Sequence, residues 1–274
     1  MVSEMNKQEI LKQYSQKEDK IFISSLLEKR EQANKKNQIV STDFLDGYQI
    51  KITQQLLKKE KIVNHIFWGG YENAQRKLAI FYPEKLIEKE TLWKKQKTEQ
   101  IKVLRFTLPK SIEKHYTHPI YLGGIVKLGI KREKIGDILV DLNTADILLR
   151  PEIVSFVKQE VRQLKRFQKA KIEEISMEDL KIIEPKTEKQ TIVVASLRLD
   201  AVIAGLIHVS RKEASQIIAA QRVYLNYERI EKEKKEIKIG DLLTIRGKGR
   251  FSIIEQVRTT QKDRIVLSVE KNIS

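Results

Sequence analysis

The stretch from Ile101 to Met177 sets out strands and helices in an order that few folds accept. "IKVLRFTLP", from Ile101, reads as a strand, and "HPIYLGGIVKLG" as a helix ending at Gly129. "DILVDLN" and "ADILLR" read as two strands separated by a turn. "PEIVSFVKQEVRQL" is a helix with Pro151 at its first position, where a missing N–H costs nothing. "KIEEISM" supplies a last strand. The resulting order is β-α-β-β-α-β, which makes the chain α+β.

That order is the split β-α-β, or ferredoxin-like, arrangement that RNA-recognition domains share. Such a fold hosts many functions and proves little alone. An RNA-recognition motif also carries an aromatic-rich stacking strand, and no strand here fits that pattern. RNA binding by this domain would therefore use charge. Between Gly129 and Asp137 lies "GIKREKIGD", which packs Lys131, Arg132 and Lys134 into a loop. From Lys94 to Glu133 there are ten Lys and Arg against three Glu. The clustering marks this loop as a secondary candidate for contacting phosphate.

The whole chain is as basic as this segment. Its 274 residues hold 53 Lys and Arg against 37 Asp and Glu, a formal charge of +16, and the pI is near 9.7. Such an excess favours polyanionic partners. Membrane insertion is not expected, because no apolar stretch approaches the roughly 20 residues a spanning helix needs. "MVSEMNKQEI" lacks the apolar region of a signal peptide. There is no cysteine, hence no disulfide framework or zinc-finger spacing, and the expected setting is reducing and cytoplasmic.

Residues 1–75 read as a small helical domain, with Ile10, Leu11, Tyr14, Ile21, Phe22, Leu26 and Leu27 at spacings near 3.6. Gly69-Gly70 should make a tight turn, and Leu78 to Tyr82 a short strand stopped by Pro83. The β-α-β-β-α-β domain is expected over 76–183. "EPKTEKQ", 184–190, is polar, contains Pro185 and reads as a linker. A third domain then fills 191–274.

In that last domain Ser210 and Glu213 have the spacing of a capping box, followed by Ala214, Ile217 and Ile218 on one helical face. Val223 and Leu225 then alternate with polar residues as in a strand. Arg211 and Lys212 occupy the first helical turn, where the macrodipole disfavours cations.

The pieces "RLD", "SRKEA", "RVYLN" and "GD" before a basic strand, in this order and spacing, resemble the S4 RNA-binding domain. The resemblance implies two short helices backed by strands that present one basic face to folded RNA. Arg198, Arg211, Lys212, Arg222, Arg246, Lys248 and Arg250 are its candidate RNA-binding residues. A phosphate bound at the second helix would meet free backbone N–H groups and offset the two misplaced cations. Asp200 would orient a basic side chain or cap a helix, since a carboxylate repels phosphate. Tyr224 and Tyr227 are open to base stacking or to cross-strand packing. Two positions depart from the usual S4 pattern. Gln221 stands where Gly commonly ends the second helix, and Asn226-Tyr227 where Asn-Gly makes the turn. A positive φ at Gln221 would cost about 1 kcal/mol relative to Gly.

"TDFLDG", "GGYENAQRKLAIFYPE" and "LGIKREKIGDILV", joined to a C-terminal S4 domain, are similar to the bacterial YlmH family over essentially the whole chain. These proteins were long labelled cell-division proteins. The resemblance implies a ribosome-associated RNA-binding protein acting in quality control. It would bind large subunits that still hold peptidyl-tRNA after stalling. Its S4 domain would touch 23S rRNA and tRNA while a tailing factor extends the stalled peptide. No cofactor is implied.

The rival readings are an S4-containing RNA-modifying enzyme and a cell-division adaptor that binds protein or membrane. Enzymes of that kind attach S4 to a catalytic domain of some 200 residues, whereas the residues before S4 here divide into two small units. "GGYENAQRK" lacks the Lys-Ser/Thr ending of a nucleotide-binding loop. His115 and His118 have no Cys in the chain to complete a metal site. No acid, base and nucleophile cluster, so the expectation is a non-catalytic binder.

Overall fold

Three helices open the chain because apolar side chains recur there at helical spacing: α1 (Glu4–Lys12), α2 (Lys17–Lys36) and α3 (Gly47–Lys59). The structure is a computed structural model and describes residues 4–83, 98–109, 116–182 and 186–273. Ile10, Ile23, Leu26, Leu27, Ile52, Leu56 and Leu57 turn inward from the three helices into one core. At the start of α3 Asp46 accepts the Gln49 amide while the Gln49 side chain accepts the Asp46 amide, a reciprocal cap.

The helical reading of this region holds for its helices but leaves out a sheet. β1 (Val40–Ser41), β2 (His65–Trp68) and β3 (Leu78–Phe81) pair antiparallel in the order β1-β3-β2. The sequence boundary at 75–76 gives the strand at 78–81 to the second domain, yet both of its neighbours belong to the first, so that boundary cuts this sheet. All four β3 residues are buried, which leaves no polar alternation to say which domain owns the strand.

The six expected elements follow: β4 (Lys102–Thr107), α4 (His118–Val126), β5 (Ile135–Asp141), β6 (Thr144–Leu149), α5 (Pro151–Glu160) and β7 (Lys171–Ile175). The antiparallel sheet runs β5-β6-β4-β7, the strand order of the split β-α-β arrangement. Leu104, Phe106, Ala145, Ile147, Leu149 and Ile172 meet the helices on one face. Successive strand residues point to opposite faces, and here the second face is covered too. Val103, Leu139 and Leu148 pack with Phe44, Leu78 and Ile80 of the N-terminal region. Asp137 adds polar ties, accepting the Tyr71 hydroxyl at 2.8 Å and the amides of Gln75 and Arg76 at 2.6 and 3.0 Å. The two regions form one compact unit, Met1–Ile183.

The second unit, Glu184–Ser274, has its own core. It contains β8 (Lys186–Val194), α6 (Leu199–Ile207), α7 (Arg211–Ala219), β9 (Val223–Leu225), β10 (Glu228–Arg229), β11 (Leu242–Ile245), β12 (Gly249–Thr259) and β13 (Ile265–Ile273). One sheet joins the strands in the order β10-β9-β11-β12-β13-β8. The expected linker at 184–190 is corrected here: from Lys186 onward it is the outer strand, in register with β13 from Lys186↔Ile273 to Val194↔Ile265. Its first half is polar because an edge strand turned to solvent needs no apolar side chain, so composition alone resembles a linker. Its second half, through Ile192 and Val194, enters the core.

Candidate nucleic-acid interface

The two S4-like helices begin around one carboxylate. Asp200, in the first turn of α6 and 4% exposed, accepts Arg198 Nε at 3.1 Å and Nη2 at 3.0 Å. It also accepts Arg211 Nη2 from the first turn of α7 at 2.6 Å, and the Ala201 amide at 2.9 Å. Burial alone would raise the Asp200 carboxyl, but the hydrogen bonds from Arg198 and Arg211 outweigh it and hold the group below the usual carboxylate range. Arg211 therefore has an internal counterion at the disfavoured end of its helix. An external phosphate is not needed to offset it.

Lys212 has no carboxylate partner among the described residues and is exposed. The capping box of α7 is present: Glu213 N donates to Ser210 Oγ at 3.2 Å and Ser210 N to Glu213 Oε2 at 2.9 Å. The amides of Arg211 and Lys212, between them, find no acceptor among the described residues. The start of α6 differs, because Leu199 N and Asp200 N already donate to the carbonyls of Lys235 and Glu233. Of the two helices, α7 is the one that offers amides to an anion.

Arg222, Arg246, Lys248 and Arg250 form a second group where β9 meets the turn between β11 and β12. Arg222 Nη2 donates to the Arg246 carbonyl at 2.8 Å. Arg246 lies over the Tyr224 ring at 4.9 Å and Arg250 over Tyr227 at 5.9 Å. Both tyrosines thus carry a guanidinium on the ring. Gly247 has φ +79°, a backbone conformation that favours glycine, and Arg222 Nη2 lies 2.9 Å from where its Cβ would be. Lys248 projects from the tip.

Gln221 does adopt a positive φ, at +56°. Asn226 and Tyr227 also have positive φ, +50° and +69°, as a two-residue type I′ turn between β9 and β10 requires. Asn226 fixes this turn by donating to Asp241 at 2.7 Å and accepting the Leu242 amide at 2.9 Å.

The secondary candidate loop divides its cations between the fold and solvent. Arg132 turns inward and donates to the carbonyls of Ile135 and Gly136. Burial and the nearby Arg76 push its guanidinium down to about 10. Lys134 bonds Asp43 and Glu152, each at 2.8 Å. Lys131 alone of the three projects into solvent, 4.0 Å from Glu133. The sequence shows three clustered cations but not the carboxylates and carbonyls that the fold brings to two of them. His118 begins α4, where burial and then Arg132 lower its pKa; His115 lies outside the described residues. Among the described residues no group of three His, Cys, Asp or Glu could hold a metal ion, and no helix is long and apolar enough to cross a membrane.

Three family models match the chain in succession: the N-terminal region of YlmH over 18–85, an RNA-binding domain in YlmH over 95–179, and the S4 domain over 197–243. The chain belongs to the YlmH family. Its match to "Ribosome-associated protein quality control protein P2" of Bacillus subtilis (strain 168) is 28% identical over 259 residues, 94% of this chain and 97% of the relative. A solved structure, "Cell division protein ylmH from Streptococcus pneumoniae", is 18% identical, covers 61% of this chain and 98% of its own, and has a TM-score of 0.45. The first YlmH model ends at residue 85, past β3, in keeping with the strand pairing. The Asp200 cluster and the start of α7 fall within the S4 match.

Proposed function

We propose that this chain is a non-catalytic RNA-binding protein of the cytoplasm that associates with the large ribosomal subunit during quality control of stalled translation. In this reading the S4 unit contacts phosphates of 23S rRNA and peptidyl-tRNA. Arg198, Arg211, Lys212, Arg222, Arg246, Lys248 and Arg250 form the contacting face, and a peptide-tailing factor acts on the same particle.

One observation carries the proposal: the first turn of α7 sets Lys212 and two available amides beside guanidinium groups already fixed by Asp200. Charge, direction and rigidity are all suited to a phosphate. The curated relative's name adds ribosome association and quality control as the setting.

The test is co-sedimentation of the full chain with purified subunits. It should pellet with large subunits, most when these retain peptidyl-tRNA. Lys212→Glu with Lys248→Glu should abolish that without unfolding the protein, because neither side chain holds an ion pair among the described residues. Equal recovery with small subunits would defeat the proposal. New modified nucleosides in RNA incubated with the protein would favour the enzyme reading.

A further inference from the structure

A β-α-β-β-α-β domain that binds RNA by stacking uses the open face of its two central strands. In this chain that face is closed. On β4 and β6, Val103 and Leu148 lie under Phe44, Leu78 and Ile80. Next to them Arg105 Nε and Nη2 each meet an Asp146 oxygen at 2.6 Å. The Lys181 amide closes over the same carboxylate at 2.9 Å, and Asp146 is 1% exposed. Several cations of this unit are also spent internally, namely Arg76 on the Phe44 carbonyl, Arg132 and Lys134 as above, and Arg150 on the Gln100 carbonyl.

A different basic surface remains, at the C-terminal end of α5 and the turns that follow. Lys158, Arg162, Lys165, Arg166 and Lys169 are all exposed, and none has a carboxylate partner among the described residues. From Val161 through Ile172 the sequence contains no Asp or Glu. Such a run of like charge favours a polyanionic partner.

The backbone beneath them is fixed, which distinguishes the segment from a solvated loop. Val161, Phe167 and Ala170 are buried between the cations. The Phe167 ring packs 5.5 Å from those of Phe106 and Tyr121. Gly124 lies so close to Phe167 that a Cβ there would collide with its ring. Tyr116 Oη donates to the Arg166 carbonyl at 3.1 Å. Gln159, Gln163 and Gln168 stand exposed among the cations, and Phe156, 48% exposed, lies on the outer side of α5.

We infer that this ridge is a second RNA-binding site, separate from the S4 unit, that takes the phosphate backbone of a double-stranded segment. Guanidinium and ammonium groups carried on a fixed backbone and interleaved with amides suit phosphate and 2′-hydroxyl oxygens of an A-form helix. One exposed aromatic is too little for a single-strand stacking platform or for anchorage in a lipid surface. The inference rests on reading the chain as an RNA-binding protein, but not on the S4 face.

The test uses the full chain and a 20-base-pair RNA duplex of mixed sequence, with affinity measured against salt. Changing Arg162, Lys165, Arg166 and Lys169 together to Gln should flatten the slope of log K against log salt by about 0.7 to 0.9 for each phosphate no longer neutralised. Arg162→Lys with Arg166→Lys should keep the slope. Thermal stability should hold in both, since these side chains have no ion-pair partner among the described residues. An unchanged slope in the Gln variant, with a lower slope in Lys212→Gln/Lys248→Gln, would overturn this site and leave the S4 reading standing. Unchanged slopes in both would sink both. Loss of binding to phosphatidylglycerol vesicles with duplex affinity intact would reassign the ridge to membrane.

Discussion

Arg211 donates to Asp200 at 2.6 Å, whereas Lys212, one residue on, reaches solvent. From sequence the two look alike, and both Glu substitutions would be expected to relieve the helix dipole without loss of stability. The structure separates them. Arg211→Glu would set a second carboxylate against a buried one. Breaking a fully buried pair costs about 3–5 kcal/mol, and with Arg211 half exposed the loss should be nearer 1–2 kcal/mol. Lys212→Glu should leave stability unchanged or slightly raised. Urea unfolding of the two single variants decides between these expectations. Asp200→Asn should destabilise by about 1–3 kcal/mol at neutral pH, by weakening its charge-assisted hydrogen bonds. Because the folded carboxyl is held below its unfolded value near 4, its stabilisation is present above that pH and is lost as pH falls through the folded value. The difference between wild type and Asp200→Asn should therefore shrink below about pH 4 in a Tm series. The positive φ at Gln221 and Tyr227 leaves no mark in these residue types, and only their departure from the S4 pattern points to the two positions. The Asp200–Arg211 bond is not legible in sequence, since it joins two helix starts that only tertiary packing brings together.

At the scale of elements, the helices and strands from Lys102 to Ile175 are readable because each has a clear period and a terminating signal, such as Pro151 at the first position of α5. β8 is not, because exposed polar residues precede Ile192 and Val194, the two side chains it buries deeply among the described residues. Ile192 and Val194 are each 3% exposed and pack against α6, with the place a Gly205 Cβ would take 3.0 Å from Val194 Cγ1. Burial of one such side chain is worth about 1.5–3 kcal/mol. Their joint removal approaches the whole stability of a small domain. A fragment of residues 184–274 should accordingly fold cooperatively, and one beginning at 195 should not. Circular dichroism with urea titration reads this directly. A well-folded 195–274 fragment would return 184–190 to the status of a linker.

For the whole molecule, the formal charge of +16 overstates the field available to RNA, since the fold divides its cations into two kinds. Arg105, Arg132, Lys134 and Arg150 serve internal acceptors, and their neighbours Asp43, Asp146 and Glu152 complete the network. Among the described residues Lys212, Lys248 and the cations after α5 have no carboxylate partner. A sequence count cannot tell these apart, which is why the loop at Lys131 to Lys134 reads as a site in sequence and the ridge does not. The division predicts that effects on stability and binding will cross. Lys134→Gln gives up two ion pairs in a partly buried setting and should cost about 0.5–1.5 kcal/mol, leaving RNA affinity and its salt slope unchanged. Lys248→Gln should leave the unfolding curve in place and reduce the salt slope by about 0.7–0.9. Measuring both variants by urea unfolding and by RNA titration at several salt concentrations tests the division itself. If Lys134→Gln lowers the salt slope as much as Lys248→Gln does, overall charge rather than a placed set of cations governs RNA binding.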